Sequence, residues 1–203
     1  PPDRHGQCTL GTSVDATRAA VDSGALVLAE INDRCPRTHG HSVVAVEGVT
    51  AFCATDRPLH ERESPATSAV AAAIGASVAE LVEDRACLQL GIGEIPDAVL
   101  GRLGDRRDLG VHTEMFSDNL VALVESGVVT NRFKAIHPGR VVTSFVAGTR
   151  RLFDFVDDNA LVEFHPCDRT NDTLAIRKIE RMTAINSALQ IDLTGQVCAD
   201  SIG

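Results

Sequence analysis

Leu88-Gln89-Leu90-Gly91-Ile92-Gly93-Glu94-Ile95-Pro96 passes from a strand-like run into a helix-like run through two glycines. Ala86–Leu90 is short, apolar and followed at once by a turn, the pattern of a buried strand. Pro96 suits a first helical turn, where its missing N–H would lack a partner anyway. A strand that turns directly into a helix is the leading half of a parallel βαβ unit.

The same rhythm extends in both directions. Upstream, Ser13-Val14-Asp15 can cap a helix running to about Ser23 with Gly24 at its end. Leu26–Ile31 and Val49–Ala54 read as strands, and residues 67–82 as an Ala-rich helix. Downstream, strands are expected at Leu109–His112, Val141–Ala147, Ala160–Phe164 and Ala184–Leu193. Helices are expected at Pro96–Leu103, Asp118–Ser126, Arg150–Asp157 and Asp172–Arg181. Residues 56–68 carry Pro58, Pro65 and a charged HERES run without an apolar period, and read as a linker or crossover. The alternation predicts an α/β fold: open, mostly parallel sheets flanked by helices.

Composition narrows the function classes. The 203 residues are 44% hydrophobic and 23% charged, ordinary for a globular chain. No apolar run approaches the roughly 18 residues of a membrane span. A net charge of −9, with seven Phe and neither Trp nor Tyr, argues against nucleic acid as a partner. Six Cys at 8, 35, 53, 87, 167 and 198 form no CxxC pair and no zinc-knuckle spacing, so no metal ligand set is expected from them. Free thiols in a reducing cytoplasm are the simplest reading. The chain begins Pro1-Pro2-Asp3 without Met or a signal-like segment, and is expected to be part of a longer protein.

Two segments carry candidate chemistry. The Gly91-Ile92-Gly93 turn lets the backbone approach a ligand, and free amides at a helix N-terminus favour negative charge. It lacks the Gly-Lys-Ser/Thr of a Walker loop and the third glycine of a dinucleotide fingerprint, and the pattern alone also fits an ordinary tight turn. In His112-Thr113-Glu114-Met115-Phe116-Ser117-Asp118, Glu114 falls beyond the carboxyl end of a strand, where open α/β sheets bind ligands. A carboxylate ionised at neutral pH can attack an activated acyl group without a general base. A solvated or salt-bridged loop Glu fits the same pattern. His39-Gly40-His41 offers two imidazoles without a third ligand at suitable spacing. In His165-Pro166-Cys167 the proline favours an extended backbone that separates thiol from imidazole. Arg132, Lys134 and Arg140 surround the His137-Pro138-Gly139 turn as a small basic cluster, read as solvated loop charges at the surface.

Several of these stretches resemble one family. PPDRHGQCTLG (Pro1–Gly11), LQLGIGEIPDAVL (Leu88–Leu100), DLGVHTEMFSD (Asp108–Asp118), HPGR (His137–Arg140) and INSALQIDLTGQVCADSIG (Ile185–Gly203) are similar, in matching order, to the acetyl-CoA hydrolase/transferase family. The likeness is greatest to its 4-hydroxybutyrate CoA-transferase-like members. The resemblance implies two similar α/β domains with an acyl-transfer site between them. Residues 1–60 would be the end of the first domain and residues 61–203 the first part of the second. It also implies a further glycine-rich segment after the DSIG sequence.

The activity implied is CoA transfer from an acyl-CoA to a small carboxylic acid. Hydrolysis of acyl-CoA through the same intermediate, or an inactive fragment, are the alternatives. Glu114 matches the family's catalytic glutamate, which attacks the acyl-CoA and then carries CoA as a glutamyl thioester. The Gly91-Ile92-Gly93 turn would bind the thioester and give N–H groups to its oxyanion, and Asn171 matches an Asn that orients the reacting carboxylate. CoA enters as substrate, no separate cofactor and no metal are implied, and a cytoplasmic homo-oligomer is expected. Two positions depart from the family pattern. Asn119 stands where relatives carry Gly, a place where Asn tolerates left-handed backbone. Glu94 stands where relatives carry Ala, adding a negative charge at the mouth of the turn.

Overall fold

The computed structural model describes residues 1–64 and 66–199. Pro65 of the crossover and Asp200–Gly203 of the C-terminal motif lie outside the described residues. Parallel strands run in the order Met182–Ile185, Cys87–Leu90, Gly110–Val111. A bridge between His112 and Val142 continues the parallel order to Val141–Thr143, Val162–Phe164 and His39–Gly40. Two further parallel pairs are Leu28–Asn32 with Ala51–Thr55 and Met115–Phe116 with Phe145–Val146. Antiparallel pairing joins Gln7–Thr9 to Val43–Ala45 and Gln190–Ile191 to Val197–Cys198. The mostly parallel α/β architecture is the one the strand–helix alternation predicts.

Parallel strands covered on both faces need near-continuous apolar sequence. Leu88, Leu90, Leu109, Val111, Val141, Val162 and Phe164 supply it and are essentially inaccessible. Helices Glu94–Leu100, Asp118–Glu125 and Arg150–Val156 add Val99, Leu120, Val121 and Leu152 to the same core. His39–Gly40 pairs with Val162–Phe164, so backbone hydrogen bonds cross the division expected near residue 60. Residues 56–64 and 66–68 form neither strand nor helix, yet they are anchored. The Arg62 amide donates to the Gly148 carbonyl at 2.9 Å, and Glu61 accepts from the Arg150 amide at 2.8 Å.

Several boundaries move, each for a tertiary reason. The first helix begins at Thr17 rather than near Ser13, because the Val14 and Asp15 amides donate to the Ser144 carbonyl instead. The run 141–147 is two strands, split at Ser144, whose amide turns to the Glu114 carbonyl. The expected strand 184–193 is likewise two. Met182–Ile185 ends in the main sheet, and Gln190–Ile191 enters a hairpin turned by Asp192, which accepts from the Thr194 and Gln196 amides. The expected helix 172–181 shrinks to Thr173–Ile176, capped by the Asp172 side chain. Asn119 lies within the helix Asp118–Glu125 and not among the positive-φ residues, so it needs no left-handed backbone.

Helix Ala69–Glu80 buries Ala71, Gly75 and Ala79, one small residue per turn, against Glu94–Leu100. A Cβ on Gly75 would stand 2.8 Å from the Ala98 Cβ and 2.9 Å from its backbone carbonyl carbon. Alanine gains about 1 kcal/mol over glycine in helix propensity, but overpacking against immovable backbone costs about 1–3 kcal/mol. Gly75→Ala is therefore expected to destabilise by about 1 kcal/mol on balance, and Gly75→Val by more. Urea unfolding checks this, and a stabilised Gly75→Ala would show that the two helices do not meet at this residue.

Candidate functional site

Glu114 stands between the short strands Gly110–Val111 and Met115–Phe116. Its position follows from Thr113, whose buried hydroxyl accepts from the Leu90 amide at 2.9 Å. The same hydroxyl lies 3.1 Å from the Leu90 carbonyl and 2.9 Å from the Met115 carbonyl, which share its proton. Thr113 thus ties the residue before Glu114 to the residue before Gly91. The Glu114 carbonyl accepts from the Ser144 amide (2.8 Å), the Phe145 amide (3.0 Å) and the Thr143 hydroxyl (3.1 Å). Its backbone is held on two sides while the half-buried side chain projects from the carboxyl ends of the strands.

Asn171 donates through Nδ2 to Glu114 Oε2 at 3.1 Å. It follows the short helix Cys167–Thr170, and its amide closes that turn on the Cys167 carbonyl. Buried Thr170 anchors the turn from below: its hydroxyl pairs with Ser144 at 2.7 Å and its carbonyl lies 2.9 Å from His112 Nε2. Burial holds the His112 imidazole neutral, its pKa pushed down to about 4, with the nearby Lys134 charge acting in the same direction. The neutral ring donates Nε2–H to Thr170. Three consecutive residues, His112, Thr113 and Glu114, therefore each fix a different neighbour.

The glycine turn has a divided role. The Gly91 N–H is taken by the Ile185 carbonyl at 2.8 Å, and a Cβ there would meet Asn186 Oδ1 at 2.8 Å. Gly93 has φ 116° and ψ −177°, a region open essentially to glycine alone. Among the described residues, the Ile92 and Gly93 amides have no hydrogen-bond partner. The following helix already carries its own countercharge in Glu94 and Asp97. Glu94 accepts from the Ser68 amide at the start of helix Ala69–Glu80, an interaction that lowers its pKa. Asp97 accepts from Ser117 at 2.9 Å and Ser64 at 2.8 Å, joining the glycine turn, the Glu114 loop and the crossover.

Some features of this edge were not anticipated from sequence. Gln89 and Asn186 form a reciprocal amide pair, at 2.8 and 3.3 Å, beside Gly91. The signal was a lone polar residue in the apolar run Cys87–Leu90. Cys167 is not coupled to His165. Its thiol hydrogen-bonds Asp15, which raises the thiol pKa, with burial adding to the effect. His39 pairs with Asp158 at 3.0 Å rather than with His41. Lys134 leaves the expected surface cluster altogether: it is buried, donates to the Val111 and Arg140 carbonyls, and burial lowers its pKa to about 8. All six cysteines lie among the described residues, and none forms a disulfide.

Residues 148–203 match the family model of the acetyl-CoA hydrolase/transferase C-terminal domain. Over its whole length the chain is 48% identical to a succinyl-CoA:acetate/propanoyl-CoA:succinate CoA transferase of Fasciola hepatica, covering 43% of that protein. It is 46% identical to a 4-hydroxybutyrate coenzyme A transferase of Clostridium kluyveri, again over 100% of this chain and 47% of the relative. The C-terminal part of the chain thus matches the acetyl-CoA hydrolase/transferase family, and the whole chain is similar to CoA transferases. A solved 4-hydroxybutyrate CoA-transferase of Porphyromonas gingivalis superposes with a TM-score of 0.93 at 39% identity, covering 97% of this chain and 50% of that one. RipA from Yersinia pestis gives 0.95 at 35% identity, over 98% and 47%. The chain spans about half the length of the curated relatives it matches. Within this family frame, Glu114 and Asn171 are in contact, and the glycine turn leaves the same edge of the sheet.

The buried His112 gives this edge a pH signature. Its folded pKa of about 4 lies below the ordinary 6.5, so between these values the unfolded chain binds more protons. Its contribution is whole above pH 6.5 and is lost as pH falls toward 4, by on the order of 3 kcal/mol. The stability difference between wild type and His112→Gln, measured by urea unfolding at steps from pH 7 to 4, should shift toward the variant by that amount. A constant difference would mean that the imidazole is not held neutral by burial.

Proposed function

We propose that the protein is a CoA-transferase in which Glu114 is the nucleophile. The observation that carries this reading is the Asn171–Glu114 contact beside a turn with two available amides. A Glu114 oxygen attacks the acyl-CoA carbonyl, and collapse of the tetrahedral adduct expels CoA thiolate to leave an acyl-glutamyl anhydride. The thiolate then attacks the glutamyl carbonyl. The acyl carboxylate departs and a glutamyl-CoA thioester remains. A second carboxylic acid, as its carboxylate, repeats these steps in reverse and leaves as the new acyl-CoA.

Asn171 holds one carboxylate oxygen and leaves the other free for attack. The Ile92 and Gly93 amides would stabilise the oxyanion, each such donor being worth on the order of 3 kcal/mol in acyl transfer. Gly91 serves the turn through its own bond to Ile185. The rival nucleophile, Cys167, is disfavoured because Asp15 keeps it protonated. The CoA transferases among the relatives are named for succinate, acetate, propanoate and 4-hydroxybutyrate, and the same class of short carboxylic acids and their CoA esters is proposed here. Transfer is preferred to hydrolysis because the named relatives are transferases.

Incubating the protein with an acyl-CoA and no acceptor should accumulate a thioester that borohydride reduces at Glu114, located by peptide mass spectrometry. Glu114→Gln should lower CoA exchange by at least about a thousandfold. Cys167→Ala should retain most of it. A labelled Cys167 with unmodified Glu114 would overturn the mechanism, and acid release without an acceptor at the rate of exchange would replace transfer by hydrolysis.

A further inference from the structure

His137 and His165 belong to two separate motifs of the sequence and Glu163 to a strand between them, and the acyl-transfer reading uses none of the three. We propose that these three side chains form a divalent-cation site of the two-histidine, one-carboxylate kind, suited to Zn²⁺. Glu163 and His165 are two apart on an extended segment, so their side chains share one face. His137 comes from the turn that leads into Val141–Thr143, the strand paired with Val162–Phe164. The turn folds back along the neighbouring strand, so that His137 reaches the Glu163 side chain.

The donor atoms converge. His137 Nδ1 lies 2.6 Å and His165 Nε2 3.1 Å from the same carboxylate oxygen, Glu163 Oε2. One ligand atom from each residue lies within 4.8 Å of the other two. Zinc–nitrogen and zinc–oxygen bonds near 2.0–2.2 Å in a tetrahedron set donor separations of about 3.3 Å. The two nitrogen–oxygen separations, 2.6 and 3.1 Å, already lie close to that spacing. The ion would replace the two protons that the imidazoles now direct at one oxygen. Imidazole and carboxylate are ligands that Zn²⁺ accepts together.

Surroundings define the remaining coordination. The His165 side chain is nearly inaccessible, whereas His137 and Glu163 retain about a quarter of their exposure and leave a path for the ion. Arg140 stands 3.7 Å from the other oxygen, Oε1, and so leaves Oε2 to the metal. Beside the cluster lies a cavity of about 190 Å³ lined by His112, Arg169, Asp172 and Lys178 as well as by the two histidines. Its positive groups oppose a bare dication and favour an anionic fourth ligand, such as hydroxide, chloride or a small carboxylate.

Co²⁺ titration of chelator-treated protein tests the site without reference to turnover. One equivalent should give a visible d–d spectrum without thiolate charge transfer, and Zn²⁺ should displace it. His137→Asn removes one imidazole while keeping a residue that tolerates the left-handed backbone at this position (φ 49°). It should weaken Co²⁺ at least tenfold with an unchanged far-ultraviolet dichroism, and Glu163→Gln should do the same. A wild type without the d–d band, a thiolate band pointing to the cysteines, or wild-type affinity in His137→Asn would each overturn the proposal. The three residues would then be a hydrogen-bonded triad alone.

Discussion

The buried hydroxyl of Thr113 is the constraint on which the candidate site depends. Strands Cys87–Leu90 and Gly110–Val111 pair in parallel, so both chains leave the sheet at the same edge. Thr113 then bonds both the amide and the carbonyl of Leu90, at 2.9 and 3.1 Å. One hydroxyl therefore sets the relative height of the glycine turn and the Glu114 loop. A buried hydroxyl without partners would cost about 1–3 kcal/mol, so this register is favoured over any that breaks the contact. The Glu114 carbonyl, satisfied by three donors from 143–145, fixes the loop from its other side.

Beyond that edge, the distribution of charge is more informative than its sum. The chain carries −9 overall, yet its interior holds Lys134 and the largely buried rings of His112 and His165. Lys134 spends its ammonium on two backbone carbonyls and braces the turn that presents His137. The Lys134 charge in turn helps to keep His112 neutral. Carboxylates near the glycine turn are likewise committed: Glu94 to the Ser68 amide, Asp97 to two serine hydroxyls. The Glu114 carboxylate accepts from one neutral donor, the Asn171 side-chain amide. A carboxylate held in place but not neutralised by a cation keeps its nucleophilicity.

Legibility differed between fold and site. Strand–helix alternation was readable because periodicity and glycine punctuation are local properties. The places where it failed were those where a segment's partner lay elsewhere in the chain. Ser13 does not cap a helix because residues 14 and 15 are claimed by Ser144. Ala184–Leu193 is not one strand because its first part pairs with Cys87–Leu90 and its second with Val197–Cys198. Two-residue strands such as His39–Gly40 and Met115–Phe116 leave no period to detect. Lys134 read as a surface charge because nothing in its neighbours in sequence announces the two carbonyls that receive it.

By itself the sequence determined the α/β class, the strand–turn–helix at Leu88–Pro96 and the loop position of Glu114. Each follows from residue type and spacing within about ten positions. Asn171 was suggested by resemblance and not by spacing, because 57 residues separate it from Glu114. Tertiary structure alone decided that the Gly91 amide is spent on Ile185 and that Cys167 answers to Asp15. It alone brought His137 to Glu163 and His165. The physical reason is common to all three: a hydrogen bond or a ligand set needs atoms about 3 Å apart. Distance along the chain carries no information about that separation until the parallel strands have placed their ends.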